Sequence, residues 1–308
     1  MSTPIEDVIT NSKRLRAETR RFYLSVARMW LDFAGKDMRR WTGALVEKWR
    51  DAMEAKKLGS ETINGRIYAL RFAGGRLEGL GKIDKNFAAG AETLPPTARR
   101  TRRPIDETAQ ARLFGELAGD APADLRDRAI TTLMLRTGVR VGKPGVGGLL
   151  NLKIGDVEPA GMTVVLKGGK VHRTPPLDPD TVAAVEAWQR WLAGKRVTEG
   201  YLFRSIRSTL DGVTVGNALR DNAVRKMFVA RSKRAGVRHI HPHLFRHTFV
   251  SECRSRGVPD WQIALYTGHT TVIAGAAGGG AVVPTLTQYT GDVTGRPLPL
   301  PPLPRGDG

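Results

Sequence analysis

The stretch "ETLPPTARRTRRPIDE", residues 92–107, constrains the fold of this chain more than any other. Proline has no backbone N–H and its ring clashes with the preceding turn, so Pro95 and Pro96 end any helix that reaches them. Four arginines follow, Arg99, Arg100, Arg102 and Arg103, a run that is either solvated or laid along an anion. The chain is therefore expected to fold as two bodies, residues 1–98 and 105–291, joined by a basic linker at 99–104. With 308 residues, each body can bury a core of its own. Residues 292–308, with "RPLPLPPLPRGDG", read as a disordered, proline-rich tail.

Charge is spread over both bodies. The formal net charge is +19, and residues 1–103 alone hold 22 Lys and Arg against 12 Asp and Glu. A basic tail on a neutral body would look different. Two basic lobes suit a long polyanion gripped from both sides, and nucleic acid is the partner of that kind. A ribosomal-type protein, or a merely basic proteome, is the competing reading. No run approaches the length of apolar residues that a membrane span needs, and "MSTPIEDVITNSKRLR" does not have the pattern of a signal peptide. The single cysteine, Cys253, excludes a disulfide within the chain and a multi-cysteine zinc site, and fits an intracellular location.

Hydrophobic spacing makes the first body helical. "RRFYLSVARMWLDFAG" sets Phe22, Val26, Met29 and Phe33 at helical spacing as candidate core, with Gly35 as the stop. A second helix is expected from about Trp41 to Lys57. A third starts with Ser60 as N-cap and aligns Ile63, Ile67 and Leu70, leaving Arg66 and Arg71 to face outward. In the second body helices are expected at about 106–118, 124–137, 178–193, 216–235 and 243–256. Between them "MTVVLKGGKVHRTPPL" reads as a β-hairpin: a β-branched strand, a Gly-Gly turn and a return strand closed by prolines.

Four of the six histidines, His239, His241, His243 and His247, lie within nine positions. Pro242 favours a helix start, which puts His243, Arg246 and His247 on one helical face. A metal site there would lack carboxylate or thiolate partners and would have arginines repelling the cation. His243 and Arg246 directed together at an anion make better chemistry.

These residues bring a family resemblance with them. "HPHLFRHTFVS", then "WQIALYTGHTTV", then "TQYTG" resemble the carboxyl-terminal signature of tyrosine recombinases, the phage-integrase family. Upstream, "LMLRTGVRVG" with "LLNLKIGDV" resembles the family's first arginine box, and "VVLKGGKVHRTPPL" its lysine hairpin. The likeness spans roughly residues 104–291. It implies a mainly α protein: a helical amino-terminal core-binding domain, then an α-rich catalytic domain with a small antiparallel β-sheet. It implies a site-specific recombinase that clamps double-stranded DNA and works as a homo-tetramer on two recombination sites. A type IB topoisomerase and a catalytically silent DNA-binding protein of the same fold are the alternatives.

Carried over residue by residue, the resemblance makes Arg140 and Arg246 the paired arginines and Lys167 the hairpin lysine, with Lys170 as its rival. His243 opens the His-x-x-Arg box and His269 is the Gly-His histidine. Tyr289 is the nucleophile; its rival Tyr266 precedes the histidine, whereas the family's tyrosine follows it. Two guanidinium forks can hold both non-bridging oxygens of a phosphodiester and stabilise the charge that grows in the transition state. A tyrosine hydroxyl, with a pKa of about 10, then forms a 3′-phosphotyrosyl bond that keeps the phosphate activated for rejoining. Lysine protonates the departing 5′ oxygen, and His243 assists proton transfer at the tyrosine. The arginines supply the charge that a metal would, so the resemblance implies neither metal nor ATP. Arg66, Arg71 and the four linker arginines are the candidate DNA contacts outside this centre.

The sequence departs from the family twice. "KPGVGG" follows "GVRVG", with Lys143 where an acidic residue is usual. His269 and Tyr289 are separated by "TTVIAGAAGGGAVVPTLTQ", longer than the family's gap and made flexible by Gly275 and Gly278–Gly280.

Overall fold

A computed structural model describes residues 2–95, 103–166, 169–174, 176–209 and 212–268, together with the backbone of Ile273–Ala274 and Gly280–Ala281. The chain divides into two compact units, Met1–Thr101 and Arg102–Gly308. The fold is mainly helical with small antiparallel sheets. The tail at 292–308 and linker residues 99–102 lie outside the described residues.

The first unit holds α1 (Pro4–Thr10), α2 (Ala17–Ala34), α3 (Gly43–Ala55) and α4 (Ser60–Gly79). Local sequence sets their starts. Thr3 and Glu6 form a reciprocal capping box on α1, and Thr42 caps α3 by accepting from the Leu45 N–H. Gly59 rather than Ser60 is the N-cap of α4, a shift of one residue. The α4 stripe of Ile63, Ile67 and Leu70 is buried as its spacing predicts.

The α2 stripe is a correction. Val26 is buried, but Phe22, Met29 and Phe33 each leave more than 40% of their surface exposed. Trp30 is the cause: it stacks on Phe87 at 5.5 Å between centroids and meets Trp41 and Trp49 edge-on. The largest side chain takes the centre of the core, and α2 turns so that Ala27 and Trp30 face inward while the predicted stripe moves to the flank. Arg66 and Arg71 are likewise half-buried instead of outward. Arg66 Nη1 reaches Met53 Sδ, and Arg71 donates to the carbonyls of Ala88 and Ala91.

The second unit contains α5 (Glu107–Glu116), α6 (Pro122–Thr137), α7 (Pro179–Gly194), α8 (Asp221–Arg234), α9 (Pro242–Ser255) and α10 (Asp260–Thr267). Its three-stranded sheet runs in the order β1 (Val157–Glu158), β2 (Gly161–Val165), β3 (Val171–Arg173), antiparallel throughout. The β2–β3 hairpin falls where the sequence places it, with Val164 opposite His172. A second hairpin, β4 (Arg204–Thr209) with β5 (Gly212–Ala218), was not expected. It takes residues 216–218 from the helix predicted at 216–235, which starts instead at Asp221. Within the glycine-rich segment, β6 (Ile273–Ala274) pairs antiparallel with β7 (Gly280–Ala281). The core joins α6, α7, α8 and α9: Trp188, Phe203, Phe228 and Phe245 are essentially inaccessible. Among the described residues, no helix is long and apolar enough to cross a membrane.

Candidate active site

Two helix ends converge on one arginine. α6 stops at Gly138 and α10 at Gly268, both in the left-handed conformation that only glycine adopts cheaply. Arg246 lies in the first half of α9, whose start is fixed by Pro242. Its Nη1 donates to the Gly138 carbonyl at 2.8 Å and to the Thr267 carbonyl at 2.9 Å. Each carbonyl is at a helix carboxyl end, where the peptide dipoles present negative charge, so the two helices offset the cost of burying the cation.

The rest of the guanidinium is not compensated. Among the described residues, Arg246 Nη2 is buried and has no hydrogen-bond partner. Burial, with the neighbouring Arg140 charge adding to it, pushes the Arg246 pKa down to about 10, so the group is still protonated at neutral pH. Two cations held together with a buried donor left open form a receptor for an anion; they stabilise the fold less than apolar packing would.

Arg140, two residues beyond the α6 cap, is exposed. The "KPGVGG" departure folds into a closed loop beside it. Lys143 and Gly147 exchange backbone hydrogen bonds of 2.9 and 3.1 Å, and Gly148 N–H donates to the Val165 carbonyl of β2 at 2.7 Å. Leu149 N–H then returns to the Arg140 carbonyl at 2.9 Å. Gly142 is required here: it has φ +65°, and a Cβ on it would lie 1.7 Å from the Gly147 oxygen. The extra residues are thus looped out, and Arg140 keeps its place after the helix.

His243, one turn before Arg246 on α9, is exposed, as is His239; His241 and His247 are partly buried. Nδ1 of His247 is buried without a hydrogen-bond partner among the described residues. No group of three or more His, Cys, Asp or Glu side chains among the described residues is placed to hold a metal ion. Tyr266 is buried, and its hydroxyl donates to the Pro176 carbonyl at 3.1 Å. Lys167, His269 and Tyr289 lie outside the described residues, as do Arg99, Arg100 and Arg102. Arg103 is exposed, and its carbonyl accepts from Arg238. The residues flanking two of these positions do meet. Leu166, before Lys167, lies against Gly268, before His269, so closely that a Cβ on Gly268 would sit 2.6 Å from Leu166 Cδ2.

Sequence reasoning missed His172. It lies on β3 between two exposed residues, and its Nε2 is hydrogen-bonded to the Leu265 carbonyl of α10. The strand alternation around it, read against the buried Val164 opposite, was the available signal.

Gly138 gives a direct stability prediction. It has φ +61°, and a Cβ would approach Phe249 Cδ1 to 2.8 Å and Thr267 Cγ2 to 3.0 Å. Gly138→Ala combines a left-handed alanine with overpacking, a loss of about 2–4 kcal/mol of unfolding free energy. A urea midpoint unchanged from the parent chain would refute this.

The sequence profile described as the phage integrase family matches residues 105–273, and the chain belongs to that family. It is 30% identical over 217 residues to the tyrosine recombinase XerC of Xanthomonas campestris pv. campestris (strain B100), covering 70% of this chain and 62% of that relative. XerC of Actinobacillus pleuropneumoniae serotype 7 is 30% identical over 213 residues, covering 66% of this chain and 63% of its own. The match thus spans less than two thirds of either relative's length. In fold, the chain is similar to a lambda integrase(75-356) dimer bound to a COC′ core site, with TM-score 0.63, 16% identity and coverage of 86% of this chain and 92% of that one. A lambda integrase tetramer bound to a Holliday junction gives TM-score 0.64 at 15% identity, covering 87% and 73%.

Proposed function

We propose that this chain is an integrase-like tyrosine site-specific recombinase that cleaves and rejoins double-stranded DNA through a 3′-phosphotyrosine intermediate. One observation carries the reading: a buried arginine nitrogen with no partner among the described residues, beside a second arginine, in a chain of the phage integrase family. Arg246 Nη2 and the Arg140 guanidinium bind the non-bridging oxygens of the scissile phosphate, with the two helix ends holding Arg246 in place. Tyr289 attacks phosphorus, the bond to the 5′ oxygen breaks, and Lys167 supplies the proton that this oxygen takes up. His243 assists the proton leaving the tyrosine, and His269 completes the anion site. Charge stabilisation rests on guanidinium groups, so no metal or nucleotide cofactor is needed. Residues 1–98 serve as the core-binding domain, 99–104 as a basic linker and 105–291 as the catalytic domain. Arg66, Arg71, Arg99, Arg100, Arg102 and Arg103 contact the DNA backbone. The lambda integrase tetramer on a Holliday junction supports a homo-tetramer on two recombination sites. DNA as substrate places the work inside the cell, on the nucleoid or on DNA in an infected host.

The test is a nicked suicide duplex that loses the short fragment bearing the freed 5′-hydroxyl on cleavage, incubated with the full chain in excess EDTA. The expected result is a covalent protein–DNA adduct that survives detergent. Binding without adduct would leave a silent DNA-binding protein, relaxation of supercoiled DNA lacking any specific site would indicate a topoisomerase, and adduct only with added zinc or magnesium would restore the metal reading.

A further inference from the structure

We propose that His172 is a positioning residue for the leaving-group step: its hydrogen bond to the Leu265 carbonyl fastens the β2–β3 hairpin, whose first strand leads toward Lys167, to α10, which leads toward His269. The inference rests on the recombinase reading above.

Among the described residues, contacts at both ends and the middle of the hairpin join these two elements. His172 Nε2 meets the Leu265 carbonyl, Tyr266 on α10 donates to Pro176 beyond β3, and Leu166 at the end of β2 packs on Gly268. His172 is the contact that uses a polar side chain at the middle of β3. A carbonyl can only accept, so the imidazole proton is on Nε2. Burial holds the His172 pKa below the usual histidine range; the bond to Leu265 opposes this shift, and the Lys170 charge adds to it. The ring is therefore a neutral strut at neutral pH and serves as neither acid nor base.

The consequence lies in what the hairpin carries. Lys167 directly follows Leu166, and His269 directly follows Gly268. The seam that His172 closes thus runs between the chain segments bearing the proposed proton donor and the proposed histidine. In the lysine step, the P–O5′ bond breaks, its electron pair goes to O5′, and O5′ takes a proton from the lysine ammonium. A hairpin loosened from α10 misplaces that proton while leaving the Arg140–Arg246 pair intact.

This separates a positioning role from a merely structural one. A thiolate leaves without protonation, since its conjugate acid has a pKa of about 8.5, far below that of an alcohol. A suicide substrate with sulfur in place of the bridging 5′ oxygen therefore bypasses the lysine. With saturating DNA and well below the melting temperature, His172→Leu is expected to slow adduct formation about 100-fold on the oxygen substrate, as a displacement of about 1 Å can. On the sulfur substrate the same variant should match the parent chain within about threefold, DNA affinity being unchanged. His172→Gln, whose amide can still donate to Leu265, should recover most of the oxygen-substrate rate. Should His172→Leu not fold, His172→Asn, polar but too short to span the gap, carries the same comparison. An equal defect on both substrates, or no defect on either, overturns the inference. Absence of adduct with the parent chain on both substrates would instead overturn the recombinase reading.

Discussion

Arg246→Lys is expected to lower the rate of covalent adduct formation by about 10²–10³-fold, the scale of losing a preorganised donor to a developing oxyanion. Lysine keeps the charge and loses the fork. In the native site Nη1 satisfies two helix carbonyls while Nη2 has no partner among the described residues, a division between two nitrogens that a single ammonium cannot reproduce. An ammonium near the two carbonyls would point away from the phosphate; one on the phosphate would leave the carbonyls unpaired. That second arrangement would cost about 1–3 kcal/mol per buried acceptor, and the repulsion from Arg140 would remain because the charge is unchanged. Adduct yield and thermal melting should therefore be measured together. A lysine variant that cleaves within tenfold of the parent would show that the open nitrogen does not hold the phosphate.

Tyr289→Phe is expected to abolish the adduct altogether while leaving DNA binding within about twofold, because the change removes one oxygen and no charge. Tyr266→Phe is the matched control. Its hydroxyl is buried and donates to Pro176, so its loss should cost about 1 kcal/mol of stability and at most slow adduct formation without abolishing it. Adduct from the Tyr289→Phe protein, or its loss from Tyr266→Phe alone, would transfer the nucleophile to Tyr266.

Residues whose role follows from local pattern were legible in the sequence. Pro242 before His243, glycine after α6, and the hairpin around "LKGGK" are all short-range signals, and each appears where its spacing implies; α10 was not predicted. What escaped depends on packing. Nothing in the α2 sequence says that Trp30 outranks Phe22, Met29 and Phe33; that ranking is set by Trp41, Trp49 and Phe87, which lie on other segments. The same holds for Arg71, whose outward placement was inferred from its own helix before Ala88 and Ala91 turned their carbonyls toward it. The β4–β5 hairpin did leave a trace, an Asp-Gly pair between alternating β-branched residues, but the apolar residues that followed were read with a helical period. For the site, the family resemblance singled out Arg246; only the structure shows that two helix ends hold it and that, among the described residues, one of its nitrogens has no partner.

The loop closed between Lys143 and Gly147 uncouples the length of the chain from the geometry of the centre. Both of its ends meet through paired hydrogen bonds, and the strand beside them anchors Gly148, so residues added at the tip shift neither Arg140 nor Leu149. For the experimentalist, exposed Val146 is an attachment point: a fluorophore placed there would ride a few residues from Arg140, the arginine proposed to bind phosphate, and would signal the arrival of DNA as a change in emission.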